Sequence, residues 1–307
     1  MGRGTEVDWG DDARELTPGV SVLAGPSNGA YPSGNTLLVR GAGETVVIDP
    51  SVTVVERGGV PAPRVDAVLN SHSHEDHVAG NGVFPNAKVH AHLADLPGVA
   101  SLDGLMDVYG YSGALRDSFS SIVLEQFHFT PRPDAHGFSD GHVFDLGGGL
   151  TVEAVHLPGH TRGHSGFRIS DGVFFLSDID LTGFGPYYGD AWSDLEDFEA
   201  SLRRVRDEDA DWYVTFHHKG VIEGRAAFVQ LLDDFHAVID RRHVAMLDFL
   251  ARPRTLDEMV AHRFVYRPHV EHVFADAVER RSAELHLRRM VARCEAVDHP
   301  DGTFERV

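Results

Sequence analysis

The 307-residue chain is 42% hydrophobic, enough for an ordinary buried core, and it is longer than one average domain. Its 27 lysines and arginines face 47 acidic residues, a formal charge of -20 that repels phosphate backbones, so no nucleic acid is expected as a partner. The single cysteine, Cys294, excludes an internal disulfide and any thiolate-built metal site, and no run of about 18 apolar residues is available to cross a membrane.

The stretch from Met1 to Gly19 is polar and acidic without an apolar signal core, and the expectation is a soluble, cytoplasmic protein. The apolar run Val65 to Leu69 is followed directly by Ser71-His72-Ser73-His74-Glu75-Asp76-His77. His72 and His74 are two apart and share one face of an extended segment, while Asp76 and His77 follow where Gly80 and Gly82 suggest a turn toward a helix. Burying so many polar and charged groups is costly unless something pairs them, so the cluster reads as two adjoining metal positions.

Further donors stand at later strand ends. Leu150 to Val155 alternates like a strand and runs into a turn that carries His160. The apolar run Gly172 to Leu176 ends at Asp178, a carboxylate able to bridge two cations, and Gly183 to Gly189 follows closely enough for Tyr187 or Tyr188 to touch substrate. Trp212 to Phe216 ends in His217-His218.

The C-terminal part is helical in pattern. Ala226 to Leu250 has helical spacing, Pro253 interrupts, Thr255 and Glu258 form a capping-box start for a short helix from Leu256 to His262, and Glu271 to Ala292 is a long amphipathic stretch before the Asp301-Gly302 turn. From residue 236 onward twelve arginines balance twelve acidic residues, so residues 1–235 carry all of the -20 and the domain boundary is placed there.

The His-x-His-x-Asp-His pattern followed by separate His, Asp and His donors resembles the metallo-β-lactamase superfamily, and Leu157 to Thr161 resembles its Pro-Gly-His-Thr turn; the likeness covers residues 17–225. It implies an α/β fold, the four-layer αββα sandwich, in residues 1–235, opening on a β-hairpin at residues 35–39 and 45–50. Residues 92–141 would be an insertion that shapes the pocket, with Tyr109, Tyr111, Phe119 and Phe127 as lining. Residues 236–307 resemble a small, mainly helical, winged-helix-like domain that packs over the cleft or pairs two chains as a homodimer.

Carried over position by position, the resemblance gives His72, His74 and His160 to a first metal, Asp76, His77 and a C-terminal histidine to a second, and Asp178 as the bridge. Ungapped alignment on Val221-Ile222 selects His218 as that last ligand, with His217 as runner-up. Arg162 and His164 depart from the family after the turn and are read as substrate-binding, Arg162 equally as a surface ion pair. The implied cofactors are two divalent ions, zinc by default, with iron or manganese as alternatives. The implied activity is glyoxalase II-like hydrolysis of a small ester, thioester or lactone, with Asp76 orienting the nucleophile. Phosphodiester or RNA cleavage, a mononuclear iron dioxygenase and a metal-binding scaffold without turnover are the alternatives. No Gly-x-Ser-x-Gly elbow competes with the metals as the catalytic device.

Overall fold

The computed structural model describes residues 7–307; the first six residues of the polar N-terminal stretch lie outside it. Short apolar runs separated by glycine-rich turns build two sheets. The first has seven strands in the order β1 (Ala13–Thr17), β2 (Val20–Leu23), β3 (Thr36–Arg40), β4 (Thr45–Ile48), β5 (Ala67–Leu69), β6 (Lys88–His92) and β7 (His136–Phe138). The expected opening hairpin is β3 against β4, antiparallel, with Leu37 opposite Ile48. From β4 to β7 the strands run parallel.

The second sheet has six strands. From one edge to the other they are β13 (Val221–Glu223), β12 (Trp212–Thr215), β11 (Val173–Ser177), β10 (Ser165–Ile169), β9 (Thr151–His156) and β8 (Val143–Asp145), with β11 and β12 parallel.

Side-chain alternation explains why the central runs of β5 and β11 are apolar at successive residues rather than at every second one. In β11, Val173 and Phe175 enter the core between the sheets, whereas Phe174 and Leu176 face an outer core. In β5, Ala67 and Leu69 face inward and Val68 outward. Each sheet is therefore covered on its outer face by helices, which completes the αββα layering. Over the first sheet lie α2 (Leu102–Tyr109) and α3 (Gly113–Glu125); the single helical turn α1 (Glu75–Val78) precedes them. Over the second lie α4 (Leu195–Val205), whose N-cap Asp194 accepts from the amides of Glu196 and Asp197, and α5 (Arg225–Phe249).

The segment at residues 92–141, expected as an insertion that shapes the pocket, contains α2 and α3. Ser101 caps α2, and Gly110 ends it in the left-handed conformation.

The boundary expected between residues 235 and 236 falls inside α5, which runs unbroken from the body into the C-terminal part. There, α6 (Leu256–His262) starts at the predicted capping box, with Thr255 accepting from the Glu258 amide and the Glu258 carboxylate accepting from Thr255 in return. Helix α7 (Ala275–Ala292) begins four residues later than the amphipathic pattern. The strands β14 (Arg254–Thr255), β15 (Ala296–Asp298) and β16 (Thr303–Arg306) form a small antiparallel sheet around β16. Met246, Leu250, Met259, Leu287 and Met290 form a core of their own here.

Apolar packing and charged hydrogen bonds bind this part to the body. Leu285 of α7 sits in the outer core of the second sheet. The buried Arg289 donates to Glu196 at 2.6 Å and to Glu199 at 2.7 Å, both on α4. The loop between α6 and α7 is held by Glu279, a buried carboxylate that accepts the backbone amides of Phe264, Val265 and Tyr266 at 2.7–3.2 Å.

Candidate metal centre

Every candidate ligand leaves the end of a strand. His72 follows β5, and His74 is the N-cap of α1, so Asp76 and His77 lie in its only turn. His160 sits between β9 and β10 on a loop that requires glycine at position 159: φ there is +122°, and a Cβ would overlap the backbone of Phe198. Asp178 follows Ser177 at the end of β11, and His217 comes two residues after β12.

These side chains converge. His160 Nε2 is 3.2 Å from His72 Nε2 and 3.0 Å from His74 Nδ1, and 3.2 Å from Asp178 Oδ2. A second group adjoins the first: His217 Nε2 is 2.9 Å from Asp76 Oδ2, and Asp178 Oδ1 is 2.9 Å from His77 Nε2 and 3.9 Å from His217 Nε2. The two donor sets are thus His72, His74, His160 with Asp178, and Asp76, His77 with His217. Asp178 faces one oxygen toward each.

The donor chemistry fits divalent cations. His77 Nε2 and Asp178 Oδ1 are buried and close, yet neither has a hydrogen-bond partner of acceptable geometry. A cation between these two atoms would satisfy both. Burial, reinforced by His77, His74 and His160, pushes His72 well below the ordinary imidazole range and keeps it a neutral donor. Burial would also lower His77, but the carboxylates of Asp178, Asp76 and Asp49 outweigh it and hold His77 well above that range, a field that favours positive charge at this point.

The other ring nitrogen of each histidine is held from behind, which fixes the ring orientation. His77 Nδ1 meets Asp49 at 2.8 Å, His160 Nδ1 the carbonyl of Tyr187 at 2.9 Å, and His217 Nδ1 the carbonyl of Gly29 at 2.8 Å. His72 Nδ1 lies 3.0 Å from Ser71 Oγ, and His74 Nε2 lies 3.1 Å from the buried Asp190. Asp95 ties the two halves together, accepting from the Ser73 amide, the Thr161 hydroxyl and the Gly163 amide. Sequence reasoning missed Asp49, Asp95 and Asp190. Only Asp49 carried a signal, as a carboxylate directly after the apolar run of β4.

Five sequence expectations change. The structure brings His217, not His218, beside Asp76 and His77. His218 takes a left-handed backbone conformation (φ 58°), its carbonyl accepts from Asn28, and its exposed ring turns to the cavity mouth, so the geometry favours the runner-up His217 as the partner of Asp76 and His77. Arg162 is exposed and stacks over Trp192 at 4.7 Å, outside the cavity. His164 is buried behind the centre, where Nδ1 meets the Leu157 carbonyl and Nε2 accepts from the Asp178 amide; burial pushes it down to about 3. Tyr188 is buried away from the cavity against His286. Tyr187 does line the cavity, as do Tyr109, Tyr111 and Phe119, while Phe127 packs behind Tyr31 at 5.9 Å.

The cavity over the centre holds about 290 Å³, and the loop between α6 and α7 supplies part of its wall through Tyr266, His272 and Phe274. A family model described as the metallo-β-lactamase superfamily matches residues 31–218, more than half of the chain. The chain belongs to that superfamily. Within the metallo-β-lactamase superfamily, it is 25% identical over 213 residues to a hydroxyacylglutathione hydrolase of Aeromonas hydrophila, covering 66% of this chain and 68% of that one. It is 23% identical over 294 residues to an atrochrysone carboxyl ACP thioesterase of Pseudocercospora fijiensis, covering 90% and 73%. Among solved structures, a metallo-β-lactamase family protein of Thermus thermophilus superposes with a TM-score of 0.70 at 22% identity, covering 95% of this chain and 100% of that one. A β-lactamase domain protein of Burkholderia ambifaria gives 0.69 at 18% identity, covering 98% and 97%.

Proposed function

We propose that this superfamily member is a metal-dependent hydrolase of a small ester, thioester or lactone, with the thioester favoured. The observation that carries the reading is the pair of donor sets joined by Asp178 at the floor of a small cavity. Two relatives support the thioester: the name of one specifies a thioesterase, and hydroxyacylglutathione, named in the other, is an S-acyl thiol.

Two divalent ions, zinc by default, would be held by His72, His74, His160 with Asp178 and by Asp76, His77 with His217, and would supply Lewis acidity that lowers the pKa of water from about 15.7 to about 7. The chain's own groups do the rest. Asp178 keeps the two donor sets in register, and Asp76, already fixed by His217, is placed to orient the attacking water and hold its proton. In hydrolysis the water oxygen bonds to the acyl carbon and the acyl–sulfur or acyl–oxygen bond breaks. The water's proton ends on the departing thiol or alcohol. The aromatic walls exclude bulk water and orient the acyl group.

Elemental analysis of protein never exposed to chelator tests the reading, alongside a panel of thioester, lactone, β-lactam and phosphodiester substrates. About two metal equivalents per chain and thioester or lactone turnover are expected, with both metal and turnover lost in His72→Ala and Asp178→Ala. Trace metal only, or iron with oxygen uptake, overturns it.

A further inference from the structure

The cavity walls have a composition that the metal ligands do not dictate. Tyr109, Tyr111, Phe119, Tyr187, Tyr266 and Phe274 all line the cavity, and no arginine or lysine contributes among the described residues. The non-ligand charged groups that do line it, Glu75 and Asp180, are carboxyls. The tyrosine hydroxyls nearest the centre are already committed to carboxylates: Tyr31 and Tyr109 donate to Glu75, and Tyr187 donates to Asp190 at 3.1 Å. What these rings offer a ligand is their apolar surface. The nearby guanidiniums are also spent on the backbone. Arg242 donates to the carbonyls of Phe184 and Pro186, and Arg281 to those of Asp190, Ala191 and Ser193.

Resting on the hydrolase reading above, we propose that this enzyme takes an uncharged substrate with a ring-bearing or bulky apolar acyl group, and that it discriminates against thioesters whose thiol carries carboxylates, glutathione included. An anionic tail leaving the centre would pass Glu75 and Asp180 without meeting a fixed cation, inside a protein whose net charge is -20. A site with no partner for a charged group rejects it by the cost of desolvating that charge. An aryl or branched alkyl acyl group instead fills the aromatic box, whose volume is at the small end of the roughly 300–1,000 Å³ usual for ligand pockets. The inference separates this chain from the substrate named in its Aeromonas relative, despite 25% identity.

The test holds the acyl group constant and varies the thiol. The metal-loaded protein is assayed with the phenylacetyl thioesters of N-acetylcysteamine, which is uncharged, and of glutathione, which is anionic. The kcat/KM ratio should favour the uncharged thioester on the order of tenfold or more. Equal or reversed preference overturns the proposal while leaving the hydrolase reading intact. Binding is measured in parallel by calorimetry with the corresponding 2-phenylethyl thioethers, which cannot be hydrolysed. If neither thioester turns over but the uncharged thioether still binds on the order of tenfold more tightly, the hydrolase reading fails and the pocket proposal stands. If the thioethers bind equally, or neither binds, the pocket proposal fails. A gain-of-function variant completes the test: His272→Arg, at an exposed position on the cavity wall, should shift the kcat/KM ratio toward the glutathione thioester several-fold, and no shift counts against the absence of a cation as the cause of discrimination.

Discussion

His217 and His218 are adjacent, yet only one reaches the centre, and the reason is local. Thr215 Oγ1 donates to the His217 carbonyl and accepts from the Gly220 amide, which closes a tight turn after β12 and leaves His218 in a left-handed conformation facing out. His217→Ala should therefore lose the second metal selectively, whereas His218→Ala should retain both; metal titration of the two variants decides it. Asp190 acts one step further from the metals by holding His74. Asp190→Asn should weaken the first metal by about 10–100-fold, the usual effect of losing such a partner, with the second less affected. Competition with a chromophoric chelator would measure it, and unchanged affinity would show that the ring is oriented by packing alone. Six of the seven donors were legible in sequence because tight spacing and strand-end placement are one-dimensional signals. The residues that hold them were not. Asp95 and Asp190 reach the centre only through tertiary folding, and nothing in their local sequence announces it.

At the level of elements, the strand runs and the capping box of α6 could be read directly, since alternation and Thr-x-x-Glu are local patterns. Helices α2 and α3 escaped because their glycines and polar residues imitate loops; their shape comes from packing Leu105, Met106, Phe119 and Val123 onto the first sheet. The junction of α4, α5 and α7 carries a pH-dependent contact. Glu199 is held down to about 2 by His236 and Arg289, against the opposing effect of burial. A carboxyl whose folded value is depressed stabilises the fold fully above its ordinary value near 4.5, and that contribution disappears as the pH falls through 4.5 toward about 2. Glu199→Gln should accordingly be less stable than the parent protein near neutral pH, and the difference should shrink as the pH is lowered past 4. Urea midpoints at several pH values would show it. A difference independent of pH would mean that the carboxylate contributes through shape alone.

For the whole molecule, the neutral C-terminal part and the acidic body are bound together more closely than their charges suggest. Helix α5 belongs to both, Leu285 enters the body's outer core, and Phe274 and Ala277 pack beside the aromatics of α2 and α3. Ending the chain after Leu250 would strip these contacts and expose apolar surface. The truncated protein should aggregate and lose turnover even though all seven donors remain. A soluble, fully active product in size-exclusion and activity assays would show that the body closes its own pocket. Charge asymmetry placed the boundary in the middle of a helix because charge follows surface composition, whereas a helix continues wherever its apolar face stays covered.

The grip of Glu279 on Phe264, Val265 and Tyr266 sets how the pocket can move in time. Three consecutive amides in a loop would ordinarily exchange their hydrogens with solvent quickly, but here each is bonded to one buried carboxylate, and releasing one loosens the others. Those three amides should exchange slowly and as a group, at the rate of the neighbouring helix rather than of a loop. The part of the cavity wall that Tyr266 supplies should therefore keep its place on that timescale, whereas Tyr31 and Phe184, both exposed, are not held in this way.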